Sequence, residues 1–199
     1  VYFLTGRSAA SRSRKIVPAG SDLTIRDSTG AGADELRHYV AAARRGNWIV
    51  VGNGAQVEPL ATALAEGRGA LDAWSDHTFE PDPPLFTSRV WAAHEIGGQD
   101  CLMGFARRSE RTGGGTDRVV WAVDELAAGT GILMTTYCGT VKDVISTPAP
   151  ADVAVTSLDL ATVLHDVWQS LDPRLRVAAF AVSADDPARA PIVVPYSEP

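Results

Sequence analysis

Residues 48–65 read WIVVGNGAQVEPLATALA, and three signals follow one another within them. Trp48 to Val51 is an unbroken apolar run of the kind a buried strand needs. Gly52-Asn53-Gly54 is a turn tripeptide. Residues 56–65 are rich in alanine and leucine, which favour helix. The stretch therefore predicts strand, turn and helix.

Working outward, residues 1–5 are a short apolar run ended by Gly6, and residues 23–26 alternate apolar with polar, so the chain is expected to open as strand, loop and strand. In residues 34–45, Leu36, Tyr39, Val40 and Ala43 fall at helical spacing with Gly46-Asn47 as a stop signal, which predicts a helix. Residues 78–84 hold too many prolines for a central strand and are expected to form an ordered loop. Residues 87–93, 101–107, 118–123 and 132–137 have strand character and glycine-containing breaks between them, the pattern of an antiparallel meander. The Gly113-Gly114-Gly115 run lacks the GKS or GKT ending of a phosphate loop and is expected at a hairpin tip. After a connector at residues 148–151, Leu160, Leu164, Val167 and Leu171 form one helical stripe that Thr156 or Ser157 would cap. Residues 175–181 alternate as a last strand, and the tail after Asp185 is expected to be loosely held. Strands grouped between helices imply an α+β fold with sheets packed face to face and helices outside.

Length and composition narrow the function. The chain has 199 residues, 45% hydrophobic and 21% charged, which suits one domain spanning residues 1–199. A formal net charge of -6 opposes the broad basic surface that nucleic acid requires. No apolar run reaches the ~20 residues of a membrane span, and no signal peptide is visible, so a cytoplasmic protein is expected. Cys101 and Cys138 lack paired spacing, and the four histidines are scattered, so no metal or other cofactor is expected. Against the acidic background, Arg7, Arg12, Arg14 and Lys15 cluster near the start. A small anion fits that cluster better than a polymer of phosphates.

Four constellations could carry chemistry. In residues 5–14, TGRSAASRSR, arginine forks can donate paired bonds to phosphate oxygens, Gly6 allows close backbone approach, and serines add neutral donors. A solvated basic turn explains the same composition. Asn53 ends a buried strand with an amide that both donates and accepts, although Asn-Gly is also an ordinary turn. Glu80 and Asp82, stiffened by Pro81, Pro83 and Pro84 and followed by Thr87-Ser88-Arg89, could hold an acid or base in place or form a surface loop. Tyr137 of residues 135–139, TTYCG, offers a hydroxyl to a substrate oxygen or a satisfied core tyrosine.

Taken in order, GRSAASR, VVGNGAQVEPL, FEPDPPLFTSRV and GILMTTYCG resemble the blocks of the archaeal-type inosine monophosphate (IMP) cyclohydrolase family, over residues 1–182. The resemblance implies a four-layer αββα sandwich like that of the N-terminal nucleophile hydrolases, without the nucleophile, since Val1 cannot serve as one. It implies closure of the pyrimidine ring of 5-formamidoimidazole-4-carboxamide ribonucleotide to IMP with loss of water. Glu80 would then transfer protons, Tyr137 would donate a hydrogen bond, and Asn53 would orient the amide. Arg7 and Arg12 would clamp the phosphate, with Ser8, Ser11, Gly54, Asp82, Arg89 and Thr136 completing the substrate-binding set. The partner would be a small ribonucleotide, and a homo-oligomer is left open.

The chain departs from the family pattern at two places. Ser88 stands where the family has proline in a TPR triplet, and residues 144–148, VISTP, replace a leucine, proline, serine and phenylalanine stretch. A cyclase for a modified nucleotide of secondary metabolism, a noncatalytic purine-nucleotide-binding protein, and an amide hydrolase using Cys138 or an unmasked N-terminal residue are the alternatives.

Overall fold

A computed structural model describes residues 1–28, 36–98, 101–111, 114–124, 126–139, 144–146, 149–184, 186 and 191–195. In chain order the elements are β1 (Tyr2–Thr5), α1 (Ala9–Arg12), β2 (Arg14–Ala19), β3 (Asp22–Asp27), β4 (Tyr39–Arg45), β5 (Trp48–Gly52), α2 (Val57–Ala65), α3 (Ala70–Trp74) and β6 (Arg89–Glu95). They continue with β7 (Cys101–Arg108), β8 (Thr116–Val123), β9 (Thr130–Leu133), β10 (Cys138–Gly139), β11 (Val144–Ile145), β12 (Ala151–Ala154), α4 (Leu160–Ser170), β13 (Arg176–Ala181) and β14 (Ile192–Pro195). The protein is mixed α+β, mostly antiparallel sheet with few helices.

Among the described residues, β2 to β8 form a seven-stranded sheet in sequence order, each strand antiparallel to the next. The meander predicted from residue 87 onward therefore begins much earlier, at Arg14. A second sheet has the order β1-β13-β14, so the first strand pairs with one near the far end of the chain.

Three hydrophobic clusters hold these elements together. Helices α2 and α3 lay Val57, Leu60, Leu64 and Trp74 on one face of the large sheet, against Ala43, Val50 and Trp91. The opposite face, through Leu23, Ile25, Tyr39 and Ala41, meets Leu4, Val177 and Phe180 of the small sheet. On the far side of the small sheet, Ala179 and Ala181 receive Leu164 and Trp168 of α4. Gly104 of β7 makes room for its cross-strand partner Trp91, because a methyl group there would lie 2.6 Å from the Trp91 indole.

The helix predicted over residues 34–45 does not form: Tyr39–Arg45 is a strand, β4, residues 36–38 are turn and bend, and residues 34 and 35 lie outside the described residues. A bulge explains the misreading. Leu23 pairs with Ala42 and Thr24 with Val40, so Ala41 is an extra residue and the two-residue alternation loses phase there. As a result Val40 and Ala43 pack on the helix side of the sheet while Tyr39 and Ala42 pack on the other. Each pair is spaced by three, which imitates a helix. Gly46, read as a helix stop, has φ of 54° and makes the two-residue turn between Arg45 and Trp48.

Three smaller expectations are also corrected. Helix α4 begins at Leu160, so its cap is Asp159, whose carboxylate accepts from Thr162 N–H at 2.9 Å; Thr156 and Ser157 lie too early. The strand expected over residues 132–137 ends at Leu133, and β9 pairs with β12 rather than joining the meander. The tail is not all loose, since Ile192–Pro195 pairs with β13 as β14. Gly113 and Pro148 lie outside the described residues, although β7 and β8 do form a hairpin around the glycine run. Among the described residues no helix is long and apolar enough to cross a membrane.

Candidate active site

A cavity of about 520 Å³ lies between β1, strands β4 to β8 of the large sheet and residues 132–137. Tyr2, Thr5, Arg7, Arg14, Tyr39, Asn53, Glu80, Thr87, Thr136 and Tyr137 are among its lining residues. The volume falls in the ~300–1,000 Å³ range usual for small-molecule sites.

The N-terminal loop brings the cations. After β1, Ser8 caps α1 in a reciprocal box with Ser11: each backbone N–H meets the other's hydroxyl oxygen. The serine hydroxyls expected to donate to a ligand thus serve the helix end, and neither serine lines the cavity. Arg12 is exposed on α1 and also lies outside the lining, whereas Arg14 lies within it. Arg14 braces the loop by donating to Ser11 O and Thr5 O, both at 2.9 Å. Arg7 sits with its guanidinium 5.2 Å from the centre of the Tyr137 ring.

The acidic loop folds back on itself. Glu80 N–H donates to Thr87 O at 2.8 Å, and Thr87 N–H donates to Asp82 Oδ1 at 2.6 Å. Phe86 makes the reversal at φ of 48°, in the left-handed region, with its ring against Phe79 and under the Arg108 guanidinium. This closure leaves the Glu80 side chain only 7% exposed although exposed prolines follow it in the loop. Asp82 is not among the lining residues and stands behind Thr87.

Asn53 bridges β5 to β6. Its amide donates to Ser88 O at 2.9 Å and its oxygen accepts from Val90 N–H at 2.7 Å. Gln56, only 1% exposed, also reaches Asn53 and accepts from Arg89 at 2.8 Å. Arg89 and Gly54 therefore stand behind the cavity wall. A methyl group at Gly54 would lie 2.5 Å from Arg89 Nη1 and 3.0 Å from Glu80 Oε1, so glycine is what lets them converge.

Three tyrosines line the inner wall. Tyr2 and Tyr39 share a hydrogen bond at 2.9 Å, and burial pushes the Tyr2 phenol well above its ordinary value and the Tyr39 phenol above it. Burial also raises the Tyr137 phenol, whose Oη lies 2.5 Å from Thr87 Oγ1. All three hydroxyls therefore keep their protons at neutral pH. The Cys101 thiol, also on the wall, is likewise pushed up by burial. Cys138 is exposed and lies outside the lining. Among the described residues no three His, Cys, Asp or Glu side chains are placed to hold a metal ion.

The structure thus brings Arg7, Asn53, Glu80, Thr136 and Tyr137 together on one cavity. It adds Arg14, Thr87, Tyr2 and Tyr39 to that lining, with Gln56 behind the wall. The family of IMP cyclohydrolase-like proteins matches residues 1–188, nearly the whole chain. The protein belongs to that family. No curated protein matches the chain.

In this IMP cyclohydrolase-like protein the two departures in sequence meet in space. Ser88 N–H donates to Ser146 Oγ at 2.7 Å and the two hydroxyls lie 2.9 Å apart, while Ser146 Oγ donates to Thr136 O at 3.3 Å. A proline at 88 would have no N–H for this bond. These bonds tie the two segments together and hold the backbone beside Tyr137.

Removing one cation tests whether the cavity holds an anion. Arg7→Ala is expected to weaken nucleotide binding by ~1.5–3 kcal/mol, the range for a hydrogen bond to a charged group. Calorimetric titration with a nucleotide and its unphosphorylated nucleoside checks this. The loss should fall on the nucleotide, and equal loss for both would refute a phosphate contact.

Proposed function

We propose that the cavity binds 5-formamidoimidazole-4-carboxamide ribonucleotide, or a close analogue, and closes its pyrimidine ring with loss of water to give IMP. What supports this above all is the meeting of a buried carboxylate, Glu80, with Arg7, Arg14, Asn53 and Tyr137 around one cavity in a chain of this family. The fold is read as the four-layer αββα sandwich of N-terminal nucleophile hydrolases. The three clusters that stack helix, sheet, sheet and helix favour it.

The chemistry asks for orientation and for proton movement. The carboxamide nitrogen attacks the formyl carbon of the same molecule, so much of the barrier is the loss of rotational freedom, and a held phosphate meets part of it. Arg7 and Arg14 take that role. Attack places negative charge on the formyl oxygen. One proton from the carboxamide nitrogen and one from the formamido nitrogen end on that oxygen, which leaves as water. Glu80 is the group proposed to carry them, because carboxylates shielded from solvent and held near the reacting atoms are effective in both directions. Asn53 keeps one amide N–H not engaged by Ser88, and that N–H is available to a substrate oxygen.

The test is direct. Mixing the purified protein with the formylated ribonucleotide should raise ultraviolet absorbance as the purine forms. Absence of turnover at micromolar enzyme would refute the reaction.

A further inference from the structure

We infer that Asp82 and Thr87 lock the polarity of the Tyr137 hydroxyl, so that Tyr137 meets the ligand as a hydrogen-bond acceptor and selects a ring edge bearing an N–H. This rests on the nucleotide reading above and adds the direction of one hydrogen bond at that site. It also reverses the expectation that Tyr137 donates.

The direction follows from counting protons. Thr87 N–H donates to Asp82 Oδ1, and Thr87 Oγ1 bonds Asp82 Oδ2. An ionised carboxylate only accepts, so the single hydroxyl proton of Thr87 points at Asp82. Thr87 Oγ1 also lies 2.5 Å from Tyr137 Oη, where, its own proton committed, it accepts. The Tyr137 proton is therefore directed at Thr87, and only lone pairs of Oη remain for a ligand. Thr87 is 4% exposed, which keeps water from replacing either partner, and chained hydrogen bonds reinforce one another in such surroundings.

The consequence is selectivity. The substrate carboxamide and the ring N–H of IMP both present donors that the Tyr137 oxygen accepts. A purine whose corresponding ring nitrogen carries no hydrogen, as in AMP, would set lone pair against lone pair. Thr87 and Asp82 act through Tyr137 and are positioning residues.

Dissociation constants for IMP and AMP, measured by calorimetry, test this without turnover. The wild type should favour IMP by about tenfold or more, the discrimination one well-placed polar contact gives. Thr87→Ser keeps a hydroxyl and should keep the ratio. Thr87→Val releases the Tyr137 proton to turn toward either ligand, and the ratio should shrink to within about threefold. Retention of the wild-type ratio in Thr87→Val would overturn the inference, as would a Thr87→Ser variant that loses it. If Thr87→Val does not fold, Tyr137→Phe decides: it should weaken IMP alone, and equal weakening of both nucleotides overturns the inference. A wild type that binds IMP and AMP equally defeats only the locked polarity. One that binds neither defeats the nucleotide reading as well.

Discussion

Glu80→Gln should lower turnover of the formylated ribonucleotide by ~10²–10⁴-fold, the contribution usual for a positioned acid or base. Glutamine keeps the shape of the side chain but cannot take up and return a proton. Glu80 is 7% exposed in a loop fastened by its own backbone, so water is poorly placed to substitute. Affinity for IMP should stay within about threefold of wild type, because an interaction needed only in the transition state affects rate rather than ground-state binding. Single-turnover absorbance and product titration separate the two effects. A variant with full turnover would remove Glu80 from the reaction, and one that loses binding and rate together would make it a recognition group.

The second large effect is on stability. Trp74 is fully buried at the end of α3, its Nε1 donates to Phe105 O at 3.1 Å, and its ring meets Trp91 edge-on at 5.5 Å and stacks on His77 at 4.7 Å. Trp74→Ala removes these contacts, including the hydrogen bond to the Phe105 carbonyl, and leaves a cavity between helix and sheet. A loss of ~3–5 kcal/mol is expected for truncating a buried tryptophan. That is a large part of the ~5–15 kcal/mol by which domains are stable. Urea unfolding should show a lower midpoint with an unchanged slope, and a loss below ~1 kcal/mol would mean that the helix side of the sheet packs without it.

What the sequence made legible follows a physical division. The run at residues 48–65 was readable because β5 is buried and α2 presents Val57, Leu60, Ala61 and Leu64 as one stripe, so pattern and environment agree. β4 was not, because its alanines favour helix and the bulge at Ala41 shifts the alternation; packing against α2 overrides propensity there. Within the site, Arg7, Asn53, Glu80 and Tyr137 could be picked out because each ends or follows an element within a recognisable block. Arg14 and Thr87 stood within the constellations without a sign that they face the cavity, and Tyr2 and Tyr39 gave no sign at all. Their importance comes from strand order, which places residues far apart in the chain on one wall, and Tyr39 had the look of a core residue. Gln56 gave no local sign either, since a buried amide at a helix start differs from an exposed one only in what surrounds it. The serine at 88 stood out as a missing proline, but its partner at 146 was legible only once the two segments were seen side by side.

The pairing of β1 with β13 has a bearing on how the protein is made. The strand leading to Arg7 leaves the ribosome well before its neighbour across the sheet, Arg176–Ala181. Until β13 emerges β1 has no partner strand, while β2, at the other end of the arginine loop, can already pair with β3 of the growing meander. Closing the cavity wall that β1 forms would therefore come late, when β13 docks against it.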